Sequence, residues 1–296
     1  MRLYYNFVTG STALAGLAAG TYALSISWTA QTYIAAALAY WVWGVNQIFN
    51  DAGNLSEDAL NAPDRPITSG KLALRPAIAL SCLFLLALGA AAWAINPWTF
   101  VPLLLGAGLN LLYCKAKRVP LVGIFVYGFS IASCFLYGLL ASDSSLTIVD
   151  VPRVGWILFV FFGFIHALMC HLSYFKDVPG DASAGVKTLQ VCWGKAAAAW
   201  FSLLWLIPLG AYFLFLGAGL NPAVTIEMFW SLILIFLTVL LIIQNRYHAA
   251  TEANCQANAA LSLAVCAACS PLYLLAVAGT ALGIHLIFYW YKNDKE

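Results

Sequence analysis

Residues Asn50 to Lys71 read NDAGNLSEDALNAPDRPITSGK, a polar stretch in a strongly apolar chain. The chain has 296 residues, of which 63% are hydrophobic and only 9% are charged. Soluble domains carry about 25% charged residues, so this composition excludes an ordinary soluble protein. The mean hydropathy of +0.86 agrees with that exclusion. We therefore expect an integral membrane protein whose polar groups are gathered in a few links.

The rest of the chain consists of continuous apolar runs. Spanning β-strands would alternate polar and apolar residues, so the runs predict an all-α, polytopic fold. A helix needs roughly 20 apolar residues to cross a bilayer. We predict one domain, residues 1–296, with nine transmembrane helices around a central cavity; the last helix could break near Gly279 or Gly283. The predicted helices cover residues 3–24, 30–49, 73–94, 98–114, 120–141, 154–175, 196–216, 224–244 and 257–290.

Positive charge is concentrated on one side of this predicted bundle. Every Lys and Arg except Arg153, Lys292 and Lys295 precedes the first helix or follows helices two, four, six and eight. By the positive-inside rule that side is cytoplasmic. We expect a bacterial or archaeal cell-membrane protein with the N-terminus and both acidic links inside and the C-terminus outside. No nucleic-acid partner is expected.

The first acidic link continues helix two. If the helix persists, Asn46, Asn50, Asn54 and Asp58 form a polar stripe at four-residue spacing. Asp51 lies two turns before Asp58, so both carboxylates point the same way. A helix that only faced solvent would not need that arrangement.

The second acidic link, after helix six, reads SYFKDVPGDASAGVKTL. Asp177 and Asp181 share a face if helical geometry persists past Pro179. A single acidic pair is also typical of an ordinary solvated loop. Two acidic links at the same mouth favour a binding site over that alternative.

Paired carboxylate clusters at a membrane cavity indicate a particular chemistry. Mg²⁺ binds through one or two carboxylates, waters and substrate phosphate oxygens. Two clusters could hold Mg²⁺ bridging a diphosphate, while Arg65 would offer bidentate contacts to phosphate. The apolar tail of such a substrate would lie among the helices.

At these residues the sequence resembles the UbiA superfamily of intramembrane prenyltransferases. The family motif NDxxDxxxD is matched from Asn50 to Asp58, except that Asn54 replaces the middle Asp. The run NAPDRPITSG resembles N-x-P-x-RP-x-x-SG, and the link YCKAK, which ends at Lys117, resembles YxxxK. Asp177 and Asp181 match the second family motif, DxxxD.

The resemblance implies Mg²⁺-dependent transfer of a prenyl group, within the membrane, from a prenyl diphosphate to a lipophilic acceptor. The acceptor class stays open among aromatic, quinone-precursor, tetrapyrrole and glycerol-lipid compounds. The expected partners are therefore a prenyl diphosphate, a lipophilic acceptor and the surrounding membrane lipids. The implied catalytic carboxylates and metal ligands are Asp51, Asp58, Asp177 and Asp181, with Asn54 as an amide ligand. The implied diphosphate contacts are Asn50, Arg65, Tyr113, Lys117 and Lys176. Candidates for the acceptor or prenyl pocket are Asn46, Phe49, Tyr127, His171 and Tyr174.

Two other functions remain open from the sequence. A UbiA-type terpene cyclase would use the same diphosphate site without an acceptor, and the replacement by Asn54 keeps this alternative open. A transporter or cation-binding scaffold is the remote alternative. Transporters place ionisable residues near the bilayer midplane, whereas here they crowd one mouth. The amino-acid sequences of both links resemble the branch with homogentisate prenyltransferases, chlorophyll synthases and archaeal-lipid synthases more than they resemble haem farnesyltransferases.

Overall fold

The computed structural model describes residues 3–217, 219, 221–269 and 273–293, without the side chains of Trp43, Val45 and residues 291–293. Short 3₁₀ turns lie at Pro97–Thr99 and at Ser202–Trp205. The helices in chain order are α1 (Tyr4–Ala23), α2 (Ala30–Gly53), α3 (Leu55–Asn61), α4 (Leu74–Ile95), α5 (Phe100–Ala116), α6 (Val122–Ala141), α7 (Arg153–Ser183), α8 (Leu189–Cys192), α9 (Gly194–Phe201), α10 (Leu206–Phe215), α11 (Pro222–Ile243), α12 (Tyr247–Cys269) and α13 (Tyr273–Asn293).

The predicted all-α membrane fold is confirmed. Within the described ranges, eight segments are long and apolar enough to cross a membrane: α1, α4, α5 with its 3₁₀ turn, α6, α7, α9 with α10, α11 and α13. Helices α2 and α12 have 24 and 23 residues but are not among these eight, because they are more polar. Helices suit the bilayer because their backbone hydrogen bonds are satisfied within each segment.

Local sequence fixes where several helices begin. Thr29 and Thr32 form a capping box before α2. At the start of α11, Asn221 Oδ1 accepts a hydrogen bond from the backbone N–H of Ala223 at 3.0 Å, and Pro222 occupies the first helical position. These are the residue types that stabilise helix N-termini, since they satisfy donors that have no partner inside the helix.

Helix α12 is polar because it is enclosed by protein rather than by lipid. It packs against α1, α7, α11 and α13, and most of its residues are buried. Asn254 Nδ2 donates to the carbonyl of Met169 at 2.9 Å. Ser262 Oγ lies 3.2 Å from Thr12 Oγ1, which in turn lies 3.0 Å from His166 Nε2. Asn254 and Ser262 of α12 are therefore paired with neighbouring helices.

The single predicted helix at residues 257–290 is wrong. The chain there forms two helices, and α12 begins ten residues earlier, at Tyr247. Gly279 and Gly283 lie inside α13, so neither marks a break, and residues 270–272 between α12 and α13 lie outside the described residues. Hydropathy missed the start of α12 because a helix buried in protein does not need an apolar surface.

In the described chain, the end of α13 lies beside the start of α1, whereas the sequence predicts the C-terminus opposite the N-terminus. The ring of Phe288, near the end of α13, lies 4.6 Å from the ring of Tyr4 at the start of α1. It also lies 5.2 Å from the ring of His248 at the start of α12. The physical reason is the additional helix: ten long helices in the described ranges, not nine, return the chain to the side on which it began.

Close helix packing in the centre holds the site in place. A Cβ at Gly138 would lie 2.0 Å from the carbonyl oxygen of Ala13, and a Cβ at Gly128 would lie 2.2 Å from that of Gly163. Glycine therefore lets α6 approach both α1 and α7 at backbone contact, as small residues do in membrane helix pairs. This contact fixes α6 and α7, which both carry site residues.

Candidate active site

The first acidic link is a helix interrupted at one residue. Helix α2 ends at Gly53, Asn54 takes a non-helical conformation (φ −118°, ψ 26°), and α3 starts at Leu55. The side chain of Asn54 donates from Nδ2 to the carbonyl of Asn50 at 2.8 Å and to its Oδ1 at 2.7 Å. The expected continuous helix is thus broken, because Asn54 bonds backward to the preceding turn.

Asp51 and Asp58 nevertheless face the same cation. Arg65 Nη1 lies 3.4 Å from Asp51 Oδ1 and also forms an ion pair with Asp58 Oδ2. Gln47 Nε2 donates to Asp51 Oδ1 at 2.5 Å. All three charged side chains are largely buried. The expectation that both carboxylates point the same way is confirmed.

The second acidic link is the end of α7, which continues through Pro179 to Ser183. Asp177 and Asp181 therefore lie one turn apart on one helix, as the spacing predicts. Lys117 Nζ lies 2.7 Å from Asp181 Oδ1, and their side chains are only 7% and 0% exposed. Burial lowers the pKa of Lys117, but the nearby charges of Asp177 and Asp181 outweigh it and leave that pKa raised. The carboxylates of α7 therefore favour the charged form of Lys117.

One amide joins the two acidic links. Asn61, at the end of α3, donates from Nδ2 to the carbonyl of Asp177 at 2.9 Å and accepts from the backbone N–H of Gly180 at 2.8 Å. A Cβ at Gly180 would lie 2.5 Å from Asn61 Nδ2 and 2.5 Å from the carbonyl oxygen of Glu57, so this contact requires glycine. Arg118 Nη2 adds an ion pair to Glu57 Oε1 at 3.1 Å. Helix α3 is thus fastened to the end of α7.

Between the links lies a cavity of about 40 Å³, here called the inner cavity. Ten of the predicted site residues line it: Asn50, Asn54, Asp58, Arg65, Tyr113, Lys117, Tyr127, Tyr174, Lys176 and Asp177. The sequence reasoning did not anticipate four further lining residues, which are Tyr5, Asn61, Cys170 and Ser173. Asn61 could have been found, because it opens the NAPDRPITSG run, whereas the others carry no motif.

A larger opening of about 490 Å³, here called the outer cleft, adjoins the inner cavity. The two share Asn61, Arg65, Lys176 and Asp177, so they form one continuous polar mouth. The other residues that line the outer cleft are Tyr4, Asp51, Ala62, Pro63, Asp64, Pro66, Tyr247, His248, Thr251 and Phe288.

Some predicted pocket residues lie away from this mouth. Asn46 lines a separate, deeper cavity of about 30 Å³ among α1, α2, α5 and α6. Phe49 is half-buried on α2 and lines neither the inner cavity nor the outer cleft.

His171 also lies outside the mouth. Its Nε2 lies 3.0 Å from the carbonyl of Ala198 and 3.1 Å from Ser202 Oγ, and Gln190 Nε2 donates to its carbonyl at 2.8 Å. These bonds hold α7 against α8 and α9. The geometry supports a packing role for His171 better than contact with an acceptor.

A model of the UbiA prenyltransferase family matches residues 9–263, most of the chain. This chain belongs to the UbiA prenyltransferase family. The family match ends within α12, so α13 lies beyond it.

Curated relatives of this UbiA-family chain are named digeranylgeranylglyceryl phosphate synthase. The protein of Methanopyrus kandleri is 34% identical over 152 residues, which cover 50% of this chain and 53% of that protein. The protein of Methanothrix thermoacetophila is 30% identical over 193 residues, covering 62% of this chain and 68% of that protein. The chain thus matches about half of the Methanopyrus protein's length.

Solved UbiA structures share the fold. The apo structure of a UbiA homologue from Aeropyrum pernix K1 has a TM-score of 0.75 at 20% identity, covering 90% of this chain and 98% of that one. A UbiA homologue from Archaeoglobus fulgidus bound to DMAPP and Mg²⁺ has a TM-score of 0.57 at 20% identity, covering 73% and 76%. At these identities the likeness establishes the fold.

The side chains of this UbiA site bear on its fit to Mg²⁺. Within the described residues, no three Asp, Glu, His or Cys side chains form a cluster able to hold a metal, and Arg65 and Lys117 engage the carboxylates. However, two buried oxygens, Asn54 Oδ1 and Asp181 Oδ2, accept no hydrogen bond within the protein. Leaving such a group unpaired costs about 1–3 kcal/mol. Both are hard oxygen ligands of the kind that Mg²⁺ prefers, so the donor set fits this ion chemically.

Proposed function

We propose that this chain is a prenyltransferase that moves a prenyl group from a prenyl diphosphate to a glycerol-lipid acceptor within the membrane. One observation carries the proposal. Two acidic motifs, fastened together through Asn61, enclose a cavity lined by Arg65, Lys117 and Lys176 at the polar end of an apolar helical bundle. Anionic diphosphate and apolar prenyl chain each have a matching surface there.

The reaction breaks the bond between the allylic C1 of the prenyl group and a diphosphate oxygen. The electron pair leaves with the diphosphate, and a hydroxyl oxygen of the acceptor forms a new ether bond to C1. The hydroxyl proton passes to the released diphosphate or to solvent at the mouth. No oxidant or reductant is required.

The chain's own cations would stabilise the leaving group. Arg65 and Lys176 line both openings, and Lys117 is held charged beside Asp177 and Asp181. Fixed positive charge aimed at a developing anion is an effective form of electrostatic catalysis. Mg²⁺, held by the four motif carboxylates and the Asn54 amide, would add charge neutralisation on the diphosphate. The ion pair between Arg65 and Asp58 would have to separate before Asp58 could bind the ion.

Aromatic residues would protect the electron-deficient prenyl carbon. The rings of Tyr113 and Tyr127 lie 5.5 Å apart in the inner cavity, and the ring of Tyr174 lies 5.4 Å from Lys117 Nζ. Such rings attract a cation through their faces and exclude the water that would quench it. Tyr113 is buried and its hydroxyl lies 3.7 Å from the thiol of Cys170, which helps to hold its ring in the cavity wall.

Two observations favour a glycerol lipid as the acceptor. The Methanopyrus and Methanothrix relatives are named for a product with two geranylgeranyl groups on glyceryl phosphate. The outer cleft, beside the inner cavity, offers space for a second substrate, which a terpene cyclase does not need. By the positive-inside rule, we also propose that this mouth faces the cytoplasm.

The first test uses purified protein in lipid nanodiscs with Mg²⁺ and radiolabelled geranylgeranyl diphosphate. With geranylgeranylglyceryl phosphate added, we expect diphosphate release and a lipid carrying both chains. Release with a hydrocarbon product and no acceptor would instead establish a cyclase. No release with any acceptor would contradict the enzymatic proposal.

Two motif substitutions test the site itself. Asp51→Asn and Asp177→Asn should each abolish detectable turnover, because each removes a carboxylate from one of the two links. Asp143→Asn is the matched control, since Asp143 is a half-buried carboxylate in the link between α6 and α7, on the opposite face. Near-normal activity of either motif variant, with the folded protein confirmed by gel filtration, would contradict the assignment.

A further inference from the structure

The outer cleft is electrically asymmetric. On the side of α2 and the following loop, it is lined by two carboxylates, Asp51 and Asp64, and by Arg65, which pairs with Asp51. On the side of α12, it is lined by His248, with Lys176 and Asp177 of α7 between the two sides. The proposed Mg²⁺–diphosphate chemistry uses the acidic side and Lys176, and leaves Tyr247, His248 and Thr251 of α12 without an assigned role.

These unassigned side chains are hydrogen-bond donors suited to an anion. Lys176 Nζ lies 3.5 Å from Thr251 Oγ1, so an ammonium and a hydroxyl are side by side on the cleft wall. Tyr247 also lines the cleft, and its hydroxyl lies 2.6 Å from Lys195 Nζ. Lys195 therefore adds positive charge to the same side. No carboxylate lines this side among the described residues of α12.

The same side also carries an apolar wall supplied by α13. Phe288 is only 4% exposed and packs against the rings of Tyr4 and His248. Phe288 lies beyond residues 9–263, which match the UbiA family model. Cationic donors beside an aromatic wall are the surface that an amphiphile with an anionic headgroup requires.

We infer that the α12 side of the outer cleft binds the phosphate headgroup of the acceptor lipid, through Lys176, His248 and Thr251. This inference rests on the proposed function and names the part of the acceptor that the protein recognises. Lys176 then contacts both substrates, since it lines the inner cavity as well as the outer cleft. His248 and Thr251 line the outer cleft but not the inner cavity, so they are assigned to the acceptor.

Because the anion ligands are side chains, recognition of the headgroup does not need a metal. Binding of the phosphorylated acceptor should persist in EDTA, while binding of prenyl diphosphate should weaken. This difference separates the acceptor site from the diphosphate site even without turnover.

The test compares geranylgeranylglyceryl phosphate with geranylgeranylglycerol, which lacks the phosphate. His248→Gln and Thr251→Val should each raise the KM for the phosphorylated acceptor about tenfold, because each variant loses one hydrogen bond to a charged group, and tenfold corresponds to about 1.4 kcal/mol. The KM for geranylgeranyl diphosphate and the KM for the unphosphorylated acceptor should stay unchanged. Arg75→Gln, which removes an exposed charge from the same face, should change none of the three.

A binding measurement completes the test. Calorimetry in nanodiscs with EDTA should show weaker binding of geranylgeranylglyceryl phosphate to both variants than to the wild type. Normal wild-type turnover with an unchanged KM and affinity in both variants would overturn the headgroup site alone. Equal losses for both acceptors would also overturn it, because the phosphate would then not be what is recognised. If the wild type prenylates neither glycerol acceptor, the proposed function itself fails, and the headgroup site with it.

Discussion

The pair of Lys117 and Asp181 provides a quantitative prediction. At 2.7 Å, the attraction between two unit charges is about 6 kcal/mol for an effective dielectric constant of roughly 20. Much of that attraction is offset by the cost of removing both groups from water. Substituting one partner alone is more costly, because it leaves the other charge buried and uncompensated. Lys117→Met, which keeps the aliphatic stem, should therefore lower the free energy of unfolding by about 3–5 kcal/mol.

The double variant Lys117→Met with Asp181→Asn distinguishes this reasoning from simple loss of packing. It removes the buried negative charge as well, so we expect it to recover at least half of the stability that the single variant loses. Activity should behave differently. A fixed cation beside the diphosphate is worth about 100- to 1000-fold in turnover, and the double variant should not regain it.

The assay is denaturant unfolding of purified protein in detergent, followed by tryptophan fluorescence, with prenyl transfer measured in parallel. Lys187→Met is the control, because Lys187 is an exposed lysine of the second acidic link, which also holds Asp181. It should change the free energy of unfolding by no more than about 0.5 kcal/mol. The reasoning is refuted if Lys117→Met unfolds within about 1 kcal/mol of the wild type. A double variant less stable than the single variant would refute it equally.

Three further predictions test other parts of the structure. Gly180→Ala should push α3 away from α7, because the added Cβ would lie 2.5 Å from Asn61 Nδ2. We expect a loss of about 1–3 kcal/mol in the free energy of unfolding and a strong fall in turnover. A neutral effect would contradict the close approach of the two helices. Asn54→Asp loses the donor that bonds to the preceding turn, so the melting temperature in EDTA should fall. The same change adds a carboxylate, so less Mg²⁺ should be needed for half-maximal activity. An unchanged Mg²⁺ requirement would argue against a ligand at this position. In a cysteine-free background, Tyr289→Cys should be labelled by an impermeant thiol reagent from the side opposite to Asp150→Cys, and labelling of both from one side would contradict the return of α13 to the mouth.

The sequence predicted the acidic links well because their geometry is local. Asp177 and Asp181 lie four residues apart, and helical spacing alone brings them to one face. Asp51 and Asp58 were likewise expected to point the same way, and both contact Arg65. The family motifs contributed Lys117 and Tyr113, which the structure places in the inner cavity.

The errors in the number and bounds of the helices share a cause, which is that hydropathy reports contact with lipid and not position in a bundle. Helix α12 contains Asn254 and Asn258, so its first half was not recognised as a long helix. His171 was considered for the acceptor pocket because it is close in sequence to the second motif. Its side chain turns instead towards Ala198 and Ser202.

By itself, the sequence determined that the chain is a helical membrane protein, that its carboxylates gather at one mouth, and which family motifs they form. Those properties depend on composition and on spacing within single helices. Only the tertiary structure decided that Asn61 fastens one motif to the other, that α12 is enclosed by protein, and that α13 brings Phe288 to the rim of the outer cleft. The physical reason is that these contacts join residues far apart in the chain, and helix packing, rather than any local pattern, sets the distances between them.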